Sequence, residues 1–501
     1  MVLNETDVGS AVIRWGVGTG LGSVGGMDTD ELLPATRRAL LHRVALAQSA
    51  GRTPSLLATV VRDGQVVWTG ARSCVDGHAP DVDTQFRIGS ITKTFVAALV
   101  LRLRDEGLLT LTDRLERHLP GAGAEAGRLT VAQLLSHSGG LTAEPPGPWW
   151  ERSPGTLRPE LADLLQQPPA VHPAGRVFHY SNVGFALLGA LVEQLRGEGW
   201  YQVLRREVLE PLGLNRTTAL PQDPHAGGWA VHPWADVMLP EPLADTGRMA
   251  PAGQLWSTLG DLSRWAVFLA EGEDKVLSAA SVREMREAGS AAVEGEGYGL
   301  GLQLLRSHGQ SLAGHTGSMP GFLAALWIVP EQRLAAVALT NATSLTGGEG
   351  IGAVAADLLR ITAEHEPPMP APWRPLPAAE LDRELLALTG CWYWGPTGYL
   401  LRLREGPGLV LTPVSGRGPE VPLRSEPDGT WTALGGYWNG ETLRVVRDGE
   451  GRVGHLDLGT FVFTREPYPA DTGTDTGTGT AVGGAGGPVP GGVDPDAWVG
   501  L

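Results

Sequence analysis

Residues 86–95, FRIGSITKTF, decide the fold, and they hold a serine and a lysine spaced three apart in an apolar setting. From Ser90 onward the sequence SITKTFVAALVLRLRDE repeats its apolar positions at a helical period, and Gly107 follows as a stop. The pattern predicts a helix over residues 90–106. Side chains three apart on a helix share one face, so Ser90 and Lys93 are expected to meet.

This pairing matters because a serine hydroxyl is a poor nucleophile unless a base takes its proton. A lysine desolvated by an apolar helix has a lowered pKa and can act as that base. Gly89 lets the chain turn tightly into the helix, whose N-terminus directs backbone N–H groups toward Ser90. Ser90 is therefore predicted as nucleophile and Lys93 as base. The alternative, a solvated helix face, is disfavoured by the apolar neighbours Ile88, Ile91 and Phe95.

A second motif, Tyr180-Ser181-Asn182, lies in PAGRVFHYSNVGF. Tyrosine has a reference pKa near 10, and beside a lysine cation its phenolate becomes accessible. Tyr180 is predicted to share the base role with Lys93 or to relay the proton to the leaving group. Asn182 offers an amide that orients Lys93 or a substrate carbonyl. The alternative is a core tyrosine followed by an N-capping asparagine.

A third motif, His315-Thr316-Gly317, lies in AGHTGSMPGF. Gly317 permits close backbone approach, as at a strand that lines a site. The N–H of Ser318 is then expected to pair with that of Ser90 as an oxyanion hole. His315 would add hydrogen bonding or partial positive charge, and Thr316 joins the predicted substrate-binding set. The alternative is a Gly-rich hairpin.

The chain organisation predicts two folded domains. Strand-like runs at both ends of the first domain with helices between them indicate an α+β fold, an antiparallel sheet flanked by helices with a helical subdomain. Short alternating runs split by Gly, Pro and Asp turns then indicate an all-β barrel. The predicted bounds are a mobile arm at 1–27, the α+β domain at 28–363, a Pro-rich linker at 364–378, the barrel at 379–467 and a disordered tail at 468–501.

Composition excludes several functions. The formal net charge of -16 opposes binding to nucleic acid or anionic membranes. Two distant cysteines, Cys74 and Cys391, are expected to be buried free thiols, with a single disulfide bridge as the alternative. No metal motif is present, and neither a metal nor a cofactor is expected. The N-terminus does not read as a signal peptide and no apolar run reaches about 18 residues, so a soluble cytoplasmic protein without a membrane span is expected.

Taken together, the three motifs, in this order at 90, 180 and 315, resemble those of the serine penicillin-recognising superfamily: class C β-lactamases, D,D-peptidases and their esterase relatives. The resemblance covers about residues 35–362. It implies a β-lactamase/transpeptidase-like fold, an acyl-enzyme on Ser90 and a lipocalin-like C-terminal barrel. One position departs from the pattern, since His315 stands where β-lactamases and D,D-peptidases usually carry a lysine that pairs with the substrate carboxylate.

Histidine at this position is commoner in the esterase-like, D-aminopeptidase-like and peptide-cyclising branches. The expected function is therefore a serine hydrolase that cleaves an ester or a peptide-like amide. One alternative is an acyltransferase, or a stand-alone penicillin-binding-protein-type thioesterase that macrocyclises a nonribosomal peptide. Another is a non-catalytic acyl-binding or sensor module. The expected partner is a small-molecule or peptidyl acyl substrate, with a carrier-protein thioester as one form.

Overall fold

The chain forms two compact units, an N-terminal unit at 1–369 and a C-terminal unit at 370–501. The computed structural model describes residues 32–74, 80–123, 125–153, 160–166, 170–290, 296–345, 350–367, 373, 382–404 and 408–467. The predicted arm at 1–27, the tail at 468–501 and most of the linker at 364–378 lie outside the described residues.

A seven-stranded antiparallel sheet, in the order β2-β1-β11-β10-β9-β8-β7, forms the centre of the N-terminal unit. Asp63 and Gly64 connect the first two strands with positive φ values of 51° and 75°, as the Asp-Gly dipeptide predicts. The strands of this unit are β1 Ser55–Arg62, β2 Gln65–Ser73, β3 Phe86–Arg87, β4 Trp229–Val231, β5 Met238–Pro240, β6 Trp256–Ser257, β7 Glu296–Tyr298, β8 Gln303–Ser307, β9 Gln310–Met319, β10 Phe322–Val329 and β11 Leu334–Thr340.

Helices cover both faces of this sheet because its strands are apolar on both sides. On β1, Leu57 and Val61 join the core shared with α2, α6 and α9, while Leu56, Ala58 and Val60 join the core under α1 and α11. The helices are α1 Pro34–Ala50, α2 Thr92–Asp105, α3 Leu115–His118, α4 Val131–Leu135, α5 Leu161–Gln166, α6 Asn182–Arg196, α7 Trp200–Leu204, α8 Ala250–Gly253, α9 Leu259–Glu271, α10 Ala279–Met285 and α11 Ile351–His365.

The C-terminal unit is an eight-stranded antiparallel meander in which each strand pairs with the next along the chain. A bridge between Tyr393 and Thr464 joins its two ends, so the barrel is nearly closed. The predicted fold class, an α+β domain followed by an all-β barrel, is confirmed. The elements of this unit are α12 Arg383–Leu388, β12 Gly390–Trp394, β13 Thr397–Arg404, β14 Gly408–Pro413, β15 Val421–Ser425, β16 Trp431–Ala433, β17 Thr442–Arg447, β18 Val453–Leu458 and β19 Phe461–Phe463.

Three further expectations concern chain-wide features. Within the described ranges, no helix is both long and apolar enough to cross a membrane. No group of three or more His, Cys, Asp or Glu side chains is arranged to hold a metal ion in that same part of the chain. Cys74 and Cys391 are free, but both are exposed, so the expectation of buried thiols was wrong. Cys74 directly follows β2 and Cys391 lies on β12, and both positions are open to solvent.

Candidate active site

Ser90 lies in a short 3₁₀ turn, Gly89–Ile91, that leads directly into α2. Sequence periodicity predicted a continuous α-helix from Ser90, but the α-helix begins at Thr92. The tighter turn brings residues three apart almost into line, which favours the pairing of Ser90 with Lys93. The Lys93 Nζ atom lies 2.9 Å from the Ser90 Oγ atom. The structure therefore brings the predicted nucleophile and base together.

Lys93 is fully buried, and its amine has two other partners. Nζ lies 2.7 Å from Asn182 Oδ1 and 2.6 Å from the backbone carbonyl oxygen of Ala252. Both partners are oxygens that only accept hydrogen bonds. A neutral lysine amine has two N–H donors and one lone pair. When the two donors serve Asn182 and Ala252, the lone pair is left to face the hydroxyl of Ser90.

The electrostatics of the site favour this neutral amine. Burial lowers the pKa of Lys93 from 10.5 to about 7, although the carboxylates of Glu144 and Glu151 act in the opposite direction. A buried ammonium loses its hydration, which disfavours the charged form. Near neutral pH a large fraction of Lys93 is therefore unprotonated and able to accept the Ser90 proton.

Tyr180 lies close to both Ser90 and Lys93. Burial raises the pKa of Tyr180 above its usual 10, although a hydrogen bond with Ser90 acts in the opposite direction. The ring lies 4.8 Å from Lys93 Nζ and 4.3 Å from the ring of His137. His137 Nδ1 accepts a hydrogen bond from the backbone N–H of Ser181, which fixes the position of the motif. Tyr180 is thus held as a neutral phenol, a proton donor rather than a base.

Asn182 is the first residue of α6, and its amide spans two groups. Oδ1 accepts from Lys93, while Nδ2 donates to Glu144 Oε1 at 2.7 Å. The N-cap of the helix is Ser181, which accepts from the N–H of Gly184. The alternative interpretation of Asn182 as an N-cap is therefore wrong, because its side chain is directed to Lys93 instead.

The backbone of the third motif, around Gly317, packs against the turn that holds Ser90. A Cβ atom on Gly89, whose φ is +52°, would lie 2.5 Å from the backbone nitrogen of Ser318. A Cβ atom on Gly317 would collide with the carbonyl oxygen of Ile88. Only glycine at both positions allows β9 to come this close to the turn. The backbone nitrogens of Ser90 and Ser318 thus belong to two segments in direct contact.

The His315 side chain is 1% exposed, and its ring lies 6.2 Å from that of Tyr180. Its Nδ1 lies 2.5 Å from the carbonyl oxygen of Thr316, and its Nε2 lies 2.9 Å from the hydroxyl of Tyr298. A carbonyl only accepts, so Nδ1 carries the proton and Tyr298 donates to Nε2. Burial and then the charge of Lys93 lower the pKa of His315 to about 3. Of the two expected contributions, hydrogen bonding or partial positive charge, the hydrogen bonds and the lowered pKa favour a neutral hydrogen-bonding group.

Thr316, also in the predicted substrate-binding set, pairs with Gln303 on β8. Its backbone N–H and its hydroxyl both donate to Gln303 Oε1, at 3.0 and 3.3 Å. These two bonds hold β9 in place just before Gly317. Thr316 thus belongs to the edge of the site that β9 provides.

Three groups of the site were missed by sequence reasoning. Glu144 follows α4 in a loop, Tyr298 ends β7, and the carbonyl of Ala252 belongs to α8. No local pattern identifies a carbonyl oxygen or a single glutamate in a Pro-rich loop as a site group. Tyr298 lies in the run YGLGL, which contains no pattern that indicates a hydrogen bond to His315.

Comparisons with known proteins cover both units of the chain. The family model named Beta-lactamase matches residues 38–360, and a domain of unknown function, DUF7586, matches residues 381–465. Penicillin-binding protein 4 of Amycolatopsis lactamdurans is 31% identical over 292 residues, 53% of this chain and 74% of that protein.

Two solved structures are also similar. The octameric penicillin-binding protein homologue from Pyrococcus abyssi has a TM-score of 0.58 at 23% identity, over 85% of this chain and 99% of that one. A D-stereospecific amidohydrolase from Streptomyces sp. has a TM-score of 0.53 at 25% identity, over 66% and 98%. With the family model matched over most of the sequence, the chain belongs to the β-lactamase-like serine hydrolase family.

Proposed function

We propose that this protein hydrolyses an ester or a peptide-like amide through an acyl-enzyme on Ser90. The single observation that carries the proposal is the partner set of Lys93: two acceptors, Asn182 and Ala252, and the hydroxyl of Ser90. A buried amine with this set of partners fits the task of a general base. A protein that only binds acyl groups has no need of such a base.

In the proposed first step, the Ser90 Oγ atom attacks the carbonyl carbon of the substrate, and the hydroxyl proton moves to Lys93 Nζ. The carbonyl oxygen becomes an oxyanion, held by the N–H groups of Ser90 and Ser318. Tyr180 donates its phenol proton to the leaving amine or alcohol as the bond to the carbonyl carbon breaks. Lys93 then returns the proton it took from Ser90 to Tyr180.

In the second step, water attacks the acyl-enzyme carbonyl. It gives one proton to the base, the ester bond to Ser90 breaks, and Ser90 Oγ regains a proton. The released product is a carboxylic acid. Because the buried phenol of Tyr180 has a raised pKa, Lys93 acts as the base and Tyr180 as the acid, a sharper division than the shared role expected from sequence.

The preferred substrate is proposed to lack a carboxylate next to the scissile bond. His315 is neutral and buried, and so offers no cation to pair with such a group. The similarity to the D-stereospecific amidohydrolase makes amides and esters of D-amino acids the first compounds to test. Small-molecule and peptidyl substrates both fit this description, and a carrier-protein thioester is a peptidyl form.

Turnover of p-nitrophenyl esters and of D- and L-amino acid amides tests the proposal. Wild type is expected to hydrolyse at least one of these classes and to be labelled by a fluorophosphonate, whereas Ser90→Ala does neither. If wild type is neither active nor labelled, the protein is a binding or sensor module and the proposal fails.

The acyl acceptor is tested in the same assay by adding an amine nucleophile. Hydrolysis predicts free acid as the main product at all amine concentrations. A product that shifts to the amide, or a cyclic product from a peptidyl thioester, assigns the protein to acyl transfer and contradicts hydrolysis as its function. Mass spectrometry separates the linear acid, the amide and the cyclic product.

A further inference from the structure

We propose that Glu144 is a positioning residue that fixes which atom of Asn182 faces Lys93, and so directs the lone pair of Lys93 to Ser90. The inference rests on the proposed function, because it assumes that Lys93 is the base for Ser90. Glu144 itself does not touch the reacting hydroxyl. It acts through Asn182, one hydrogen bond further from the nucleophile.

The backbone holds Glu144 next to Asn182. The hydroxyl of Ser181 donates to the carbonyl oxygen of Thr142 at 2.7 Å, and the N–H of Asn182 donates to that of Ala143 at 2.8 Å. These two bonds place the segment before Glu144 along the start of α6. Glu144 is the next residue, so its side chain lies within hydrogen-bonding distance of the Asn182 amide.

The carboxylate of Glu144 is fixed at both oxygens. Oε1 accepts from Asn182 Nδ2 at 2.7 Å, and Oε2 accepts from the indole Nε1 of Trp150 at 2.6 Å. Trp150 is buried, so its indole is a firm anchor for an otherwise exposed glutamate. A carboxylate only accepts hydrogen bonds, and therefore only the N–H₂ end of the Asn182 amide can face it.

This orientation has a direct consequence for the base. With Nδ2 turned to Glu144, Oδ1 must face Lys93, where it takes one N–H of the amine. The carbonyl of Ala252 takes another, and the lone pair of a neutral Lys93 is left for Ser90. The side-chain amide of a glutamine at 144 can donate a hydrogen bond as well as accept one. The Asn182 amide can then flip, so that its Nδ2 faces Lys93. Lys93 would then direct its lone pair to the amide Nδ2, away from Ser90.

Glu151 provides a matched control. Like Glu144, though with a smaller effect, the Glu151 carboxylate raises the pKa of Lys93. It accepts its hydrogen bond from the indole Nε1 of Trp149, at 2.9 Å, and not from Asn182. Glu151→Gln removes the same charge near the site without changing the partners of Asn182. Loss of charge alone is thus expected to act similarly in both variants, whereas loss of orientation occurs only in Glu144→Gln.

The experiment measures the rate of fluorophosphonate labelling of Ser90 between pH 5 and 10 for the full chain. A small probe is chosen because it does not depend on contacts between Asn182 and an acyl side chain. Glu144→Gln is expected to lower the plateau rate at high pH by about 10-fold or more. Glu151→Gln is expected to remain within about 3-fold of wild type. Equal plateau rates for the two variants would overturn the proposal.

A double-variant cycle tests whether Glu144 acts through Asn182. In an Asn182→Ala background there is no amide to orient, so adding Glu144→Gln is expected to change the rate by less than about 2-fold. If the two losses multiply, Glu144 acts independently and the proposal is wrong. Unlabelled wild type would instead contradict the proposed function, so the two failures are distinguishable. Circular dichroism confirms that each variant is folded.

Discussion

The two units of this protein differ in what they bury. The N-terminal unit has Lys93, His137, Asn182 and His315 buried close together beside the nucleophile. Among the described residues of the C-terminal barrel, the buried side chains are all apolar or aromatic, from Leu388 to Phe463.

This difference in buried groups explains why we propose the active site in the N-terminal unit. Burying a polar or charged group costs free energy unless its hydrogen bonds are satisfied. In the N-terminal unit a connected set of hydrogen bonds around Lys93 offsets that cost, and burial leaves this amine with a lowered pKa. The described part of the barrel interior is a packed apolar core without a buried charged side chain. The predictions below test this contrast, from the largest expected effect to the smallest.

Removal of the base is expected to have the largest effect. Lys93→Met keeps a side chain of similar length but removes the amine that faces Ser90. Loss of general-base catalysis lowers the acylation rate by about 10²- to 10⁴-fold. Stopped-flow or manual labelling with a fluorophosphonate measures this rate, and a loss below about 3-fold would show that Lys93 is not the base.

Removal of the proposed acid is expected to have the next largest effect. Tyr180→Phe deletes the hydroxyl that bonds with Ser90 and leaves the ring beside Lys93 in place. We expect turnover of an amide, whose leaving group needs a proton, to fall by about 100-fold. An ester with a p-nitrophenolate leaving group needs no such proton and should lose less. Equal losses on both substrates would contradict the role as acid.

A smaller effect is expected at His315. Tyr298→Phe removes the hydroxyl that donates to His315 Nε2 and leaves a buried acceptor unpaired. Such a group costs about 1–3 kcal/mol of unfolding free energy, measurable by denaturant titration. The labelling rate of Ser90 should fall by less than about 10-fold, because β9 is also held by Gln303. Unchanged stability would contradict the buried hydrogen bond between Tyr298 and His315.

Two matched tryptophans test the contrast itself. Trp265 stacks on Phe95 of α2 and donates to Thr94, next to Lys93, while Trp392 is buried in the barrel and donates to Leu388. Replacement of either with Ala is expected to cost about 3–5 kcal/mol of stability. Only Trp265→Ala should also slow labelling of Ser90 in the folded protein. A similar loss of rate in Trp392→Ala would show that the barrel affects the site.

Much of this site could be predicted from sequence because its motifs are local. Ser90 and Lys93 are close in sequence, Tyr180 and Asn182 flank a helix start, and Gly317 indicates close backbone approach. The fold class followed from apolar periodicity and turn residues. These features depend on short-range geometry, which the sequence displays directly.

The remaining features depend on tertiary contacts and burial. Glu144 meets Asn182 only because a loop bonds to the start of α6. The protonation of His315 depends on Tyr298 and on complete burial, neither of which a motif contains. The hydrogen bond from Trp150 to Glu144 depends on the conformation of the loop that holds both residues, and no local pattern indicates it.

The most direct test of the central claim is the pH dependence of Ser90 acylation, followed by intact-protein mass spectrometry with Ser90→Ala as control. Lys93 must be unprotonated to accept the proton, and burial lowers its pKa to about 7. The account predicts a single adduct on Ser90 whose rate of formation is low in acid, rises through about pH 7 and is constant above it. An adduct on another residue, or a rate that rises only near pH 10, would contradict it.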